Sequence, residues 1–150
     1  MKTVKTTREG KNFTAVNIGK LNEVKDYVLP LGEIEIPGKV FVGQALQATG
    51  CELSFQTLVP GQDSGFLHTH KTHEELYFIL KGEGEYQVDG DVFSVSEGSI
   101  VRVAPEGKRA LKNTGEGEML MLCIQYKANS FGVDDSPAGD GVILGDKLTW

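Results

Sequence analysis

At 150 residues, with a formal net charge of −6 and a pI near 5.1, the chain has the size of one domain, and its lysines and arginines are scattered among acids. Nucleic acid is excluded as a partner because phosphate binding needs a basic stripe, and a membrane is excluded because no apolar stretch approaches a bilayer span, so a cytoplasmic protein is expected. A chain of this length buries about two-thirds of its unfolded surface without disulfides. Cys51 and Cys123 make no C-x-x-C spacing and are expected as two reduced, buried thiols.

In chain order, the first 17 residues are polar, with a short edge strand over Phe13 to Ile18. Leu21, Val24, Tyr27 and Val28 recur at helical spacing until Pro30 and Gly32, which predicts a short N-terminal helix. Residues 33 to 38 read as a loop or short strand around Pro37, and Val40 to Leu46 as a strand. From Cys51 the pattern turns to β: Cys51, Leu53, Phe55 and Thr57 alternate with Glu52, Ser54 and Gln56 until Pro60-Gly61. The polar set need not face solvent, since small barrels line part of their interior with polar groups.

The next stretch, residues 61 to 82, holds all three histidines of the protein, His68, His70 and His73, followed at once by Glu74 and Glu75. Such clustering makes metal coordination the leading hypothesis. On a strand, His68 and His70 share a face, roughly 7 Å apart at Cα. Glu75 follows His70 at an odd interval, so a turn over Lys71-Thr72-His73 is required to bring its carboxylate back as a cross-strand neighbour. The donor set is then two imidazoles and one carboxylate, with coordination positions left open.

Beyond Glu75, Leu76 to Leu80 is apolar on both faces. With Glu75, Tyr77 and Ile79 turned inward, Leu76, Phe78 and Leu80 need a cover, for which a second subunit is preferred over another sheet layer or the N-terminal segment. Asp89-Gly90 between two β-rich runs predicts a tight hairpin, because both turn residues must accept positive φ. Glu97-Gly98 and Pro105 to Gly107 mark further turns around strands at Ser99 to Val103, Arg109 to Asn113 and Glu118 to Tyr126. At least seven short strands at regular spacing predict an antiparallel sandwich or barrel. The closing stretch from Lys127 is rich in Gly, Asp, Ser and Pro, and its terminal Trp150 is expected to dock at a barrel mouth or a dimer seam.

The run Gly61, His68-Thr69-His70, Glu75, Gly82 resembles the first signature of the cupin superfamily: glycine, H-x-H, four residues, glutamate, six residues, glycine. Only Gly61 stands one residue further out than usual. The resemblance covers about residues 50 to 127 and implies an all-β, antiparallel double-sheet jelly-roll barrel. Residues 1–49 would form an N-terminal extension packed on it, with its short helix, and residues 128–150 a C-terminal tail. Residues 98 to 113 resemble the second signature, whose histidine normally supplies a fourth metal ligand. That slot holds Arg109 when counted from Asn113 and Ala110 when counted from Pro105 and Gly107.

The resemblance implies a divalent transition metal (Fe, Mn, Ni or Zn) on His68, His70 and Glu75, with His73 solvent-facing or supporting. Arg109 has two roles open to it: a clamp for an anionic small-molecule ligand, or an ion-pair partner of Glu74 or Glu75 that replaces a metal. Tyr77 is the candidate acid or hydrogen-bond donor. Dioxygenase, isomerase and decarboxylase chemistries occur among cupins. An enzyme on a small organic acid, a non-catalytic binder and a metal-free barrel with a polar core therefore compete, and a homodimer is expected.

Overall fold

The structure, a computed structural model, describes residues 2–150. The polar start is a hairpin of β1 (Lys5–Gly10) and β2 (Phe13–Asn17). The expected helix is a single 3-10 stretch, Leu21–Asp26. No side chain caps its start, and Tyr27 is already extended, its hydroxyl donating to the Thr3 and Ile18 carbonyls. Val28 instead begins β3 (Val28–Leu31), which pairs with β4 (Ile34–Pro37).

The strand expected over Val40 to Leu46 is divided. Lys39–Phe41 forms β5, and Gly43–Leu46 is a single helical turn, α1. The break has a local cause: the Glu52 carboxylate accepts from the Gly43 amide at 2.7 Å and from the Leu53 amide at 2.9 Å, satisfying a donor that a continued ladder would have used.

The remaining strands are β6 (Glu52–Leu58), β7 (His73–Lys81), β8 (Glu83–Val88), β9 (Asp91–Ser96), β10 (Ile100–Val103), β11 (Arg109–Asn113) and β12 (Met119–Lys127). All pairs are antiparallel. One sheet has the order β10-β7-β12-β6-β5 and the other β11-β8-β9. Their inner faces meet in one core, with Leu58, Tyr77, Ile79, Met119, Met121 and Cys123 from the larger sheet against Tyr86, Val95 and Leu111 from the smaller. This is the double-sheet jelly roll. The Asp89-Gly90 hairpin forms as expected, with φ of 53° and 92°. At Gly84 a side chain has no room, because a Cβ there would strike the Lys112 carbonyl of the paired strand β11.

On the outer face, Tyr27, Val40 and Val42 cluster with Val4, Ile18, Leu46, Leu53 and Phe55, so the N-terminal residues cover the β5–β6 end of the larger sheet. Leu76, Phe78 and Leu80 stay only half-buried, and their neighbour Ile100 is 62% exposed. After β12 come a 3-10 turn at Val133–Asp135 and a one-turn helix, α2 (Pro137–Asp140). Trp150 does not close a barrel mouth of its own chain, one of the two places expected for it; it is fully exposed, and Ile143 and Leu148 are exposed as well. Both cysteines are free, with Cys123 buried as expected and Cys51 only partly so.

Candidate metal centre

The histidines do not sit on a regular strand. Residues 61–68 run beside β11 as an irregular edge: the Ser64 amide donates to the Leu111 carbonyl at 2.9 Å, and His68 and Arg109 exchange backbone bonds at 3.3 and 3.1 Å. Asp63, whose carboxylate accepts from the Gly65 amide at 2.8 Å, and Gly65 itself bulge the segment between its two bridges to β11. The turn back covers Lys71 and Thr72 only. His73 is already the first residue of β7, on the same face as Glu75, exposed at the rim with its ring 6.1 Å from that of His70.

Strand β7 then turns Glu75, Tyr77 and Ile79 inward, as its alternation requires. Ligand atoms of His68, His70 and Glu75 all lie within 4.8 Å of one another. His70 Nε2 stands 3.1 Å from Glu75 Oε1 and His68 Nε2 stands 3.6 Å from Oε2. Donor atoms bound to one ion at about 2.1 Å stand roughly 3 to 3.5 Å apart, so these separations suit a shared cation. Two buried imidazole nitrogens, His68 Nδ1 and His70 Nε2, have no hydrogen-bond partner among the described residues. Close approach of His70 Nε2 to a carboxylate oxygen without a hydrogen bond is what a pair of lone-pair donors does around a metal, and the residues fit one.

Glu75 is 2% exposed and heavily partnered. Its Oε2 accepts from the Tyr77 hydroxyl at 2.8 Å and from Arg109 Nε at 2.9 Å, and its Oε1 accepts from Gln125 Nε2 at 2.7 Å. Burial by itself would raise its pKa, but contact with His68 and Tyr77 and the charge of Arg109 outweigh this and hold the carboxyl well below the usual carboxylate range. Tyr77 moves the other way: burial first, then the neighbouring Tyr86, Cys123 and Glu75, push its hydroxyl up, so it remains a proton donor to Glu75. Burial lowers the pKa of His70 despite the attraction of Glu75, favouring the neutral imidazole that a metal requires.

Arg109 enters the interior and is 1% exposed. Besides Glu75, it donates through Nη1 to the Pro105 and Gly107 carbonyls at 3.1 and 2.8 Å, while Nη2 has no partner among the described residues. Ala110 is only half-buried and borders a surface hollow with Lys112, so Arg109 holds the position counted from Asn113. Asn113 is buried and structural: it donates to the Leu58 and Gly117 carbonyls and accepts from the Gly115 amide. Glu74, the other expected partner of Arg109, pairs instead with Arg102 at 3.1 Å and Tyr126 at 3.0 Å on the outside. Sequence patterning does not reveal two contributors to the site. Gln125 and Cys123, whose Sγ is 3.6 Å from Glu75 Oε1, sit in an apolar run, Met119 to Tyr126, that gives no hint of a polar role.

A two-sheet β-barrel with two imidazoles and a carboxylate converging near its rim defines the class, and similarity to known proteins agrees with it. Residues 54–125 match the cupin domain family. A cupin protein of Bacteroides fragilis of known structure is 36% identical, with a TM-score of 0.67 over 71% of this chain and 88% of that one. A protein of Thermotoga maritima, described as a predicted oxalate decarboxylase, is 25% identical, with a TM-score of 0.52 over 57% of this chain and 73% of that one. An uncharacterized protein of Methanocaldococcus jannaschii is 32% identical over 71 residues, which are 47% of this chain and 57% of the relative. The chain thus spans less than two-thirds of that relative's length. It belongs to the cupin family. Among the described residues no helix is long and apolar enough to cross a membrane.

Proposed function

We propose that this cupin holds one divalent transition metal on His68, His70 and Glu75 and receives a small anionic organic acid beside it. The observation that carries this reading is the convergence of the three donors within 4.8 Å, with His70 Nε2 unpaired 3.1 Å from Glu75 Oε1. A bound Fe, Mn, Ni or Zn ion would supply Lewis acidity, and for Fe or Mn redox chemistry, to an oxygen-rich ligand. Arg109 fixes Glu75 through Nε, and its free Nη2 hydrogens suit an anion. Tyr77 and Gln125 hold the carboxylate's two oxygens in one orientation, the supporting role that outer partners play around metal ligands. Similarity to the T. maritima protein described as a predicted oxalate decarboxylase supports a carboxylate as the ligand class and decarboxylation as the first chemistry to assay.

A second reading has its own support. The Arg109 guanidinium already neutralises Glu75, so a metal-free barrel with a polar rim is self-consistent. Elemental analysis of untagged protein separates the two. Close to one transition metal per chain is expected in the wild type, and its loss in His68→Ala and His70→Ala; metal-free wild type, or metal retained by both variants, refutes the metal reading.

For the half-buried face of Leu76, Phe78 and Leu80 beside exposed Ile100, we propose a second copy of the chain as the cover.

A further inference from the structure

Lys39 lies on β5, opposite Gln56, while its neighbour Val40 lies opposite Phe55. Val40 and Phe55 belong to the outer cluster under the N-terminal residues, so Lys39, Phe41, Gln56 and Ser54 share the inner face of the sheet. The row of Lys39 and Gln56 continues through Met121 to Ile79, and the neighbouring row of Phe41 and Ser54 through Cys123 to Tyr77, so both lead across the barrel wall to the strand of Glu75. Lys39 is therefore an interior cation on the same concave surface as the candidate centre. The chain passes from β6 directly into segment 61–70, so β5, β6 and the two histidines border one side of the barrel.

The Lys39 ammonium has no carboxylate within salt-bridge distance among the described residues. The side chain is half-buried, its Nζ lies 5.5 Å from the Phe41 ring centroid, and it makes no ion pair or hydrogen bond among the described residues. Adjacent Gln56, 9% exposed, likewise makes no side-chain hydrogen bond among the described residues. Burial lowers the pKa of Lys39, while Cys123 and Glu75 act to raise it. An interior ammonium beside an unpaired amide, on one aromatic face, presents the donors that a carboxylate accepts. Arg109, the other interior cation, has committed three of its N–H groups to Glu75 and two carbonyls.

We propose that Lys39, assisted by Gln56, anchors the carboxylate of a small organic acid whose other end addresses the His68, His70 and Glu75 cluster. This assignment rests on the reading of that cluster as a ligand site, and it makes Lys39 a specificity determinant in addition to Arg109.

Malonate is the probe, titrated calorimetrically into the 150-residue chain with and without prior Mn(II) loading. Lys39→Met is expected to weaken malonate binding about tenfold or more, and Lys39→Arg to retain most of it, since both long cations accept a carboxylate. Metal content should equal wild type in both variants. Malonate affinity in Lys39→Met within about twofold of wild type, or no malonate binding by the wild type, overturns the assignment. A second measurement needs no variant: malonate should protect Lys39 from reductive methylation, followed by peptide mass spectrometry, while exposed lysines react as before. Unaltered methylation of Lys39 at a saturating malonate concentration also overturns it. Failure of the metal reading appears separately, as absent metal in wild type and variants alike, with the malonate and methylation results still deciding the role of Lys39.

Discussion

Arg109 Nε donates to Glu75 Oε2 at 2.9 Å, and the two side chains are 1% and 2% exposed. Two opposite charges withdrawn this far from water depend on each other, because either alone would be an uncompensated buried ion. Removing the cation with Arg109→Met is expected to destabilise the protein by about 3–5 kcal/mol in urea titration, the range for breaking a buried pair. Where Glu75 also serves a metal, Zn(II) or Mn(II) should raise the melting temperature of Arg109→Met more than that of wild type. A loss under about 1 kcal/mol would mean that Tyr77 and Gln125 alone suffice for Glu75.

Acid should undo the same site with a definite sign. Glu75 has its pKa held below the ordinary 4.5, so its contribution is complete above that value and is lost as pH falls through the folded-state pKa. His70, lowered by burial from 6.5, acts in the same direction but earlier, since the unfolded imidazole takes up its proton first. The melting temperature of metal-free protein should therefore begin to fall below about pH 6.5 and fall further below about pH 4.5. Between wild type and Glu75→Gln the difference should shrink as pH drops. A constant difference from pH 7 to pH 3 would contradict the account.

The two thiols should behave differently. Burial, with the nearby Glu75 charge, pushes Cys123 up to about 12, whereas Cys51 is half-exposed. In native protein at pH 8, iodoacetamide should modify Cys51 and spare Cys123, with both reacting in denaturant. Prompt native labelling of Cys123 would show that solvent reaches the floor of the site.

Pairing of two copies through the larger sheet is tested by Ile100→Glu. Exposed and opposite Phe78 in the ladder, Ile100 is expected to tolerate a charge in the monomer but not in the dimer. Sedimentation velocity should find wild type as a dimer and the variant as a monomer. A monomeric wild type would refute the pairing.

The barrel was legible in the sequence wherever strand neighbours in space are also neighbours along the chain. Asp89-Gly90 announces its hairpin, and the spacing from His70 to Glu75 demands the reversal that the structure supplies at Lys71-Thr72. Inward placement of Tyr77 and Ile79 likewise came from alternation alone. What stayed hidden depends on register between distant segments. Gln125 reaches Glu75 only because β12 lies between β6 and β7, and Lys39 turns inward only because it stands opposite Gln56. Val40 to Leu46 looked like a strand because nothing local reveals that Glu52, nine residues beyond Gly43, captures the Gly43 amide. The irregular path of residues 61–68 was equally invisible, since an H-x-H pair has the same spacing on a regular strand as on a bulged edge.

That bulged edge divides the donor set mechanically. Glu75 is built into a nine-residue strand laddered on both sides, by β10 and β12, whereas His68 is held by one isolated bridge to Arg109, at 3.3 and 3.1 Å, beside a glycine-hinged bulge. The carboxylate is thus a fixed anvil and the His68 imidazole the more compliant jaw, since the His70 amide is held by the Pro105 carbonyl at 2.8 Å. Amide protons of Leu76 to Ile79 should outlast that of His68 by orders of magnitude in deuterium, and an ion seated between the two parts would act as a rivet, slowing exchange at His68 far more than on the strand behind it.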